Sequence, residues 1–478
     1  MQSRLSSTSL QSMASTVCEH SHGGSSKVEL PLKNDDATSD DSEVPAPAAP
    51  QTDPSTLERY AFGFWDPEMG VFRRIAAKKL LATTLITIIV MWLCLPFYWG
   101  SLAKSDRYTH NLTVRVIDRD GGSVGKSITD ALLRESNLHY FSSSPETFPT
   151  DAEVAHDILQ EGTWAAVVIS EGTTEALQLA RAAGDVNYQG NSAVHVFFAQ
   201  ARQENAISAY LLPYLQQALT RITTEVSSDS IAEYLKDNAG NQTAVSLLSS
   251  TPQTVSQGVS FTLHNLRPFN QPVATAITLV GFIYMIIFAS IIAASGGAVR
   301  SIISPHLKTG SYIVYRLTVP MLIYLPLSLL FAMVSLPFDV DFGAHFSYAG
   351  GFFLWVLTLY LSMAAVGMAI EFAVTILPPP FVPFFMIAWI ISNVSVAVMP
   401  HELQPKIYRY GVAMPFFNAG EIIKTIIFDT KDEIGKNVGI LVAWIAVSFI
   451  SITVATWWTH RKLANAHRSA AGLASSKV

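Results

Sequence analysis

Apolar positions gather into six long runs, separated by polar stretches of very unequal length. Residues 80–99 carry no charge, and a bilayer core needs about 20 such residues. Five more runs follow over residues 272–294, 317–338, 350–370, 381–399 and 438–458. The pattern predicts a membrane α-helical bundle with six transmembrane helices. Residues 100–271, between the first two runs, are polar and long enough for a domain. Within them "NLTVRVID" (Asn111–Asp118) alternates like a strand, with Val114 and Val116 on one face. "WAAVVIS" (Trp164–Ser170) reads as a buried strand, and "TTEALQLARA" as a helix with Glu175 in its first turn. The stretch Ser192–Val226 has helical spacing, with a break expected at Pro213. An α/β domain inserted after the first helix is the reading.

The flanks and turns set an orientation. Residues 1–58 are rich in Ser, Asp, Pro and Ala, and predict a disordered cytoplasmic tail. Residues 59–79 combine Phe62, Phe64, Trp65 and Phe72 with Arg73, Arg74, Lys78 and Lys79, as an interfacial segment would. A second basic group (Arg300, His306, Lys308, Arg316) falls between runs two and three, and a third (His460, Arg461, Lys462) opens the tail 459–478. Basic residues favour the cytoplasmic side, so both termini are expected there and residues 100–271 outside it. Two glycosylation sequons, at Asn111 and Asn241, lie in that extracytoplasmic domain.

Composition agrees: 50% of residues are hydrophobic and 14% charged, against about 25% charged in soluble proteins. A net charge of −6 argues against a nucleic-acid partner, and two cysteines, Cys18 and Cys94, exclude a disulfide framework. "DGGSVGKS" (Asp120–Ser127) nearly matches a phosphate-binding loop, but Asp120 stands where the first glycine belongs. It reads as a turn with Ser127 capping a helix. "HELQP" (His401–Pro405) lacks the second histidine of a zinc helix, and His156, His195 and His264 show no ligand spacing. No enzyme, metal or cofactor is expected.

The candidate pathway residues are polar groups at membrane depth. Glu371 closes the fourth run, where a carboxylate either acts or reaches water along its stem. Ser392, Asn393 and Ser395 form a polar patch in the fifth run. Within residues 400–437, the stretch Tyr408–Thr430 is too apolar for a loop and too charged for a span. In it Ile422, Ile423, Ile426 and Ile427 share a helical face, Glu421 lies off that face, and Asn418 is placed to cap the helix. An outer re-entrant or interfacial segment is expected there.

Several stretches together resemble the fungal nitrosoguanidine-resistance family of multi-pass proteins. They include "LPFYWGSL", "NLTVRVIDRDGG", "NQPVATAITLVGFIYMIIFAS" and "WIISNVSVAVMPHELQPKIYRYGVAMPFFNAGEIIKTIIFDT". More distantly, the layout is similar to type-2 ABC permeases with large outer domains. The resemblance implies a plasma-membrane transport-type protein that confers resistance to toxic small molecules, by export or through lipid distribution. Its implied partners are membrane lipids and amphipathic small molecules, with a homo-oligomer or a separate subunit besides. The alternative is a non-transporting scaffold or regulator whose outer domain binds a partner.

Overall fold

Among the described residues of the computed structural model, six helices are long and apolar enough to cross a membrane. Spans 1 to 6 cover Pro67–Leu102, Val273–His306, Thr309–Phe338, Tyr348–Ile376, Pro379–Ala397 and Ile434–Lys462. The structure describes residues 61–475, so the tail expected over 1–58 lies outside the described residues. Most of the helices outrun the apolar runs that predicted them, because helical hydrogen bonding continues into the polar turns.

The chain divides into two units, one ending at Ala76 and the other comprising residues 77–478. In the first, Arg73 Nη1 donates to the Phe64 carbonyl at 2.6 Å and to that of Asp66 at 2.9 Å, and Gly63 N donates to the Asp66 carboxylate. The α-helix of span 1 begins at Gly70. Arg73, Arg74, Lys78 and Lys79 therefore sit on its early turns, where a separate interfacial segment was expected. The spiral continues because Gly70–Leu102 contains no breaker before Pro96.

Between spans 1 and 2 the larger unit holds a five-stranded sheet. Its strands are β1 Thr113–Asp118, β2 His139–Ser143, β3 Ala165–Ile169, β4 Val194–Phe198 and β5 Phe261–Asn265, in the order β2-β1-β3-β4-β5. Only the β3–β4 pairing is antiparallel. One face buries Val114, Val116, Val167 and Val196 against helices Ser123–Leu133 and Leu212–Asp237. The other buries Ile117, Val168 and Phe197 under Asp151–Leu159.

The helical reading of Ser192–Val226 needs correction at its start. Val194, Val196 and Phe198 alternate inward as β4, and β-branched and aromatic side chains suit that pleated surface. Pro213 does not break the following helix either. A π-turn over Ile207–Leu211 precedes it, and the wider turn accommodates a ring that would otherwise strike the preceding carbonyl.

Span 4 is the centre of the bundle and packs against spans 2, 3 and 6. Its small residues Ala364, Ala365, Gly367 and Ala369 are buried and let neighbouring backbones approach. At Gly367 a Cβ would overlap the Tyr324 ring. Span 1 is different, since Leu80, Leu81, Leu85, Ile88, Ile89 and Trp92 are exposed along it. Its C-terminal end makes hydrogen bonds to the rest: Tyr408 Oη donates to the Phe97 carbonyl at 2.6 Å, and Gln404 Nε2 to that of Ser101 at 3.3 Å.

Between spans 5 and 6 lies a helix pair, Lys406–Ala413 and Pro415–Phe428, bent by 67°. Chain on both sides of the pair is held by the sheet unit. Gln203 and Asn205 donate to the Val398 carbonyl, Asn111 to that of Glu402, and Arg267 to Asp429. The pair therefore enters and leaves at one end of the bundle.

Candidate functional site

Glu371 does not reach water. Its helix continues to Ile376, and the residue is 1% exposed. Arg300 Nη1 lies 2.9 Å from one carboxylate oxygen, and Arg316 Nη2 lies 3.3 Å from the same atom. Arg316 also donates to Thr456 Oγ1 at 3.1 Å and to Thr375 Oγ1 at 2.6 Å. The expected carboxylate at a helix end is thus the hub of a buried triad. A side chain one turn and more inside the helix, walled by spans 2 and 3, has no path along which to snorkel. The same contacts revise the charge reading, because Arg300 and Arg316 are not free basic residues of a turn.

The polar patch of span 5 works as an anchor. Ser392 Oγ and Ser395 Oγ donate to carbonyls of their own helix, Trp389 and Ile391. Asn393 is fully buried; its Nδ2 donates to the Trp389 carbonyl at 3.0 Å and its Oδ1 accepts from Phe416 N at 3.3 Å. Asn393 thereby satisfies one of the free N–H groups at the start of Pro415–Phe428, a role expected of Asn418. Asn418 sits one turn inside that helix and donates to the Val412 and Met414 carbonyls. The helix starts earlier than expected because Pro415 has a fixed φ suited to a first turn.

The bent pair meets the sheet unit around a cavity of about 360 Å³. Trp164, Phe416 and Phe417 supply aromatic wall. Glu421 lines it as well and accepts from Lys424 Nζ at 2.6 Å, while Lys424 also donates to the Arg202 carbonyl at 2.8 Å. The Arg202 guanidinium lies 3.8 Å over the Trp164 ring. Burial lowers its pKa from the usual arginine range, against the pull of Glu161, Glu402 and Glu421. His401 stacks on Phe417, with ring centres 5.1 Å apart, and neither ring nitrogen has a partner among the described residues. Burial holds its imidazole below the ordinary histidine pKa, so at neutral pH it is an uncharged donor and acceptor. Arg202 was missed by sequence reasoning; only its place after β4, at the sheet's junction with the bundle, marks it.

The loop that nearly matches a phosphate-binding motif carries its own anion. Asp120 accepts from Gly125 N at 3.1 Å, Thr174 N at 2.8 Å and Thr174 Oγ1 at 2.5 Å. Its carboxylate stands at the N-termini of two helices, Ser123–Leu133 and Thr173–Ala183, the place a phosphate would take. The expected cap by Ser127 does not form, since the helix begins at Ser123 with Gly122 before it. The histidines are less scattered than their spacing implied. β4 and β5 bring His195 Nδ1 within 2.8 Å of His264 Nε2, and burial and then the His264 ring lower the His195 pKa. Among the described residues no group of three or more side chains is arranged to hold a metal. Asn111 is exposed and its Nδ2 donates to the Glu402 carbonyl; Asn241 is exposed and caps the helix Gln242–Ser250 through Oδ1.

Comparison with known proteins places these features in a wider set. Residues 83–450 match a family described as "Protein of unknown function (DUF3533)". The chain is also similar to an uncharacterized endoplasmic reticulum membrane protein of Saccharomyces cerevisiae. The two are 24% identical over 461 residues, which cover 90% of this chain and 89% of that protein. No solved structure matches the chain. With six apolar helices and this likeness, the chain is a multi-pass membrane protein.

Proposed function

The chain belongs to the DUF3533 family of proteins of unknown function, and from that premise we propose that it is a transport-type membrane protein for amphipathic small molecules and lipids. The cavity between the sheet unit and the bent pair carries the reading. Its volume, about 360 Å³, falls within the range of ligand pockets. Its wall pairs aromatic rings with charges of both signs: Glu161, Glu204, Glu402, Glu421 and Glu433 face Arg202, Lys424, Lys431 and Lys436. Five carboxylates against four cations offer a partner to each charge of a zwitterionic headgroup, and suit it or a neutral amphipathic compound better than a lone anion. The unpartnered His401 ring adds a neutral hydrogen-bonding group. Removal of such compounds from one leaflet would produce resistance to them.

Purified protein reconstituted in liposomes should move a fluorescent phosphatidylcholine between leaflets faster than protein-free liposomes do. Lys424→Gln removes one charged hydrogen-bond partner from the cavity and is expected to slow that movement about tenfold. One observation favours the second reading, a scaffold or regulator: Glu371, the deeply buried acid of the bundle, is locked between two arginines and is a poor charge carrier. Leaflet exchange no faster than in empty liposomes would leave the scaffold standing and end the transport reading.

The orientation we propose has both termini cytoplasmic and residues 100–271 outside the cytoplasm. The basic residues before span 1 and after span 6 support it. The yeast relative is by its description an endoplasmic reticulum protein, which favours an internal membrane over the plasma membrane. Protease added to sealed microsomes should then remove an N-terminal tag and spare the sheet unit. Asn241 is the expected glycan acceptor, because the Nδ2 of Asn111 is already engaged. A glycosidase shift lost in Asn241→Gln and kept in Asn111→Gln would agree; digestion of the sheet unit with the tag spared would reverse the orientation.

A further inference from the structure

The end of the bundle remote from the sheet unit holds a second cavity, of about 600 Å³. It lies among the turn between spans 2 and 3, the turn between spans 4 and 5, and the end of span 6. Arg300 and Arg316 form part of its wall and are 6% and 4% exposed. Both are paired with one group, Glu371. Two guanidinium ions against one carboxylate leave one positive charge over.

The hydrogen bonds of Arg316 repeat this imbalance. Its Nη atoms are used on Thr456, Glu371 and Thr375, yet its buried Nε has no partner among the described residues. A buried charge without a counter-ion is strongly unfavourable, and a ligand that supplies one is correspondingly well bound. Hydroxyls of Ser304, Tyr312 and Thr459 line the same space, and among the described residues none that lines it is acidic. Val374, Leu377 and Val382 give it an apolar side.

We propose that this cavity binds a phosphate-bearing anion against Arg300 and Arg316. The group is either the headgroup of an anionic lipid, its chain along Val374, Leu377 and Val382, or a soluble phosphate compound. The site stands apart from the cavity beside the bent pair at the other end of the bundle and does not rest on the transport reading.

The test is thermal unfolding of the purified full chain in neutral detergent, titrated separately with phosphatidylglycerol, phosphatidylcholine and inorganic phosphate. Phosphatidylglycerol should raise the unfolding temperature at concentrations where phosphatidylcholine does not. Arg316→Gln leaves a neutral Arg300–Glu371 pair and should weaken that effect about tenfold or more. Ser304→Asp adds a carboxylate at the half-buried rim; it should weaken binding similarly without lowering the unfolding temperature measured without lipid. Stabilisation by inorganic phosphate as strong as by the lipid, and lost in the same variants, would assign the site to a soluble compound. The proposal is overturned if neither anion stabilises the native protein, or if Ser304→Asp binds both as the native protein does.

Discussion

Glu371→Ala is expected to leave little folded protein. The substitution removes the shared counter-ion and leaves Arg300 and Arg316, 7% and 5% exposed in their side chains, facing each other in the bundle. Removing one partner from a buried ion pair costs about 3–5 kcal/mol. Whole domains are stable by only about 5–15 kcal/mol. Fluorescence-detected size exclusion after a heating series should show the variant lost at temperatures where the native chain survives. Replacing Glu371, Arg300 and Arg316 together by apolar residues of similar size should restore much of the loss, since desolvation offsets most of what such a triad contributes. A single variant as stable as the native chain would show that water or another anion already reaches the arginines.

Gly351→Ala should be nearly as damaging, although it adds one methyl group. Gly351 lies in the first turn of span 4, and a Cβ there would overlap the carbonyl oxygen of Phe342. Phe342 is 1% exposed and cannot withdraw. Beyond the glycine lies Ile426 of the bent pair, 3.3 Å from the added atom. Overpacking of this kind costs about 1–3 kcal/mol where the surroundings can adjust, and an obstructing backbone carbonyl puts it at or above the upper end. Gly350→Ala is the control. Its Cβ would meet first the Ser347 hydroxyl, at 2.9 Å, whose displacement costs the N-cap bond that it accepts from Gly350 N and meets no backbone. Alanine gains about 1 kcal/mol over glycine in a helix, about what a lost cap costs, so that variant should be close to neutral. Equal unfolding temperatures for the two variants would refute the close approach at Gly351.

The sequence made the membrane helices legible because each needs only one local property, an apolar run of sufficient length. β1 and β3 were legible for a similar reason, since Val114 and Val116, or the unbroken Ala165–Ile169, declare their burial within a few residues. β4 was not. Val194–Phe198 is five residues long and is followed at once by helical spacing, which absorbed it into the longer signal. The Glu371 triad was hidden for another reason. Arg300 and Arg316 stand beside span ends, where basic residues ordinarily mark a cytoplasmic turn, and their partner lies 71 and 55 residues away. His195 and His264 are 69 residues apart and meet only because β4 pairs with β5. Such meetings are properties of the fold, and no spacing rule contains them. For Asp120, the sequence showed why phosphate is unwelcome but not that its carboxylate takes phosphate's place.

Span 1 is joined to the bundle by hydrogen bonds at Phe97 and Ser101, while the apolar side chains from Leu80 to Trp92 face outward. Little in the protein fixes the angle of that apolar length. Its tilt is set by the bilayer, since a helix of given apolar length leans further as the hydrocarbon layer thins. The joint transmits the lean. Tyr408 belongs to the bent pair and Gln404 to the turn just before it, and Gln404 also donates to the Ser395 carbonyl of span 5 at 2.7 Å. A change in membrane thickness would then pull on the segment that lines the cavity of about 360 Å³. The first helix is a gauge whose pointer rests in the lipid and whose pivot rests on the site.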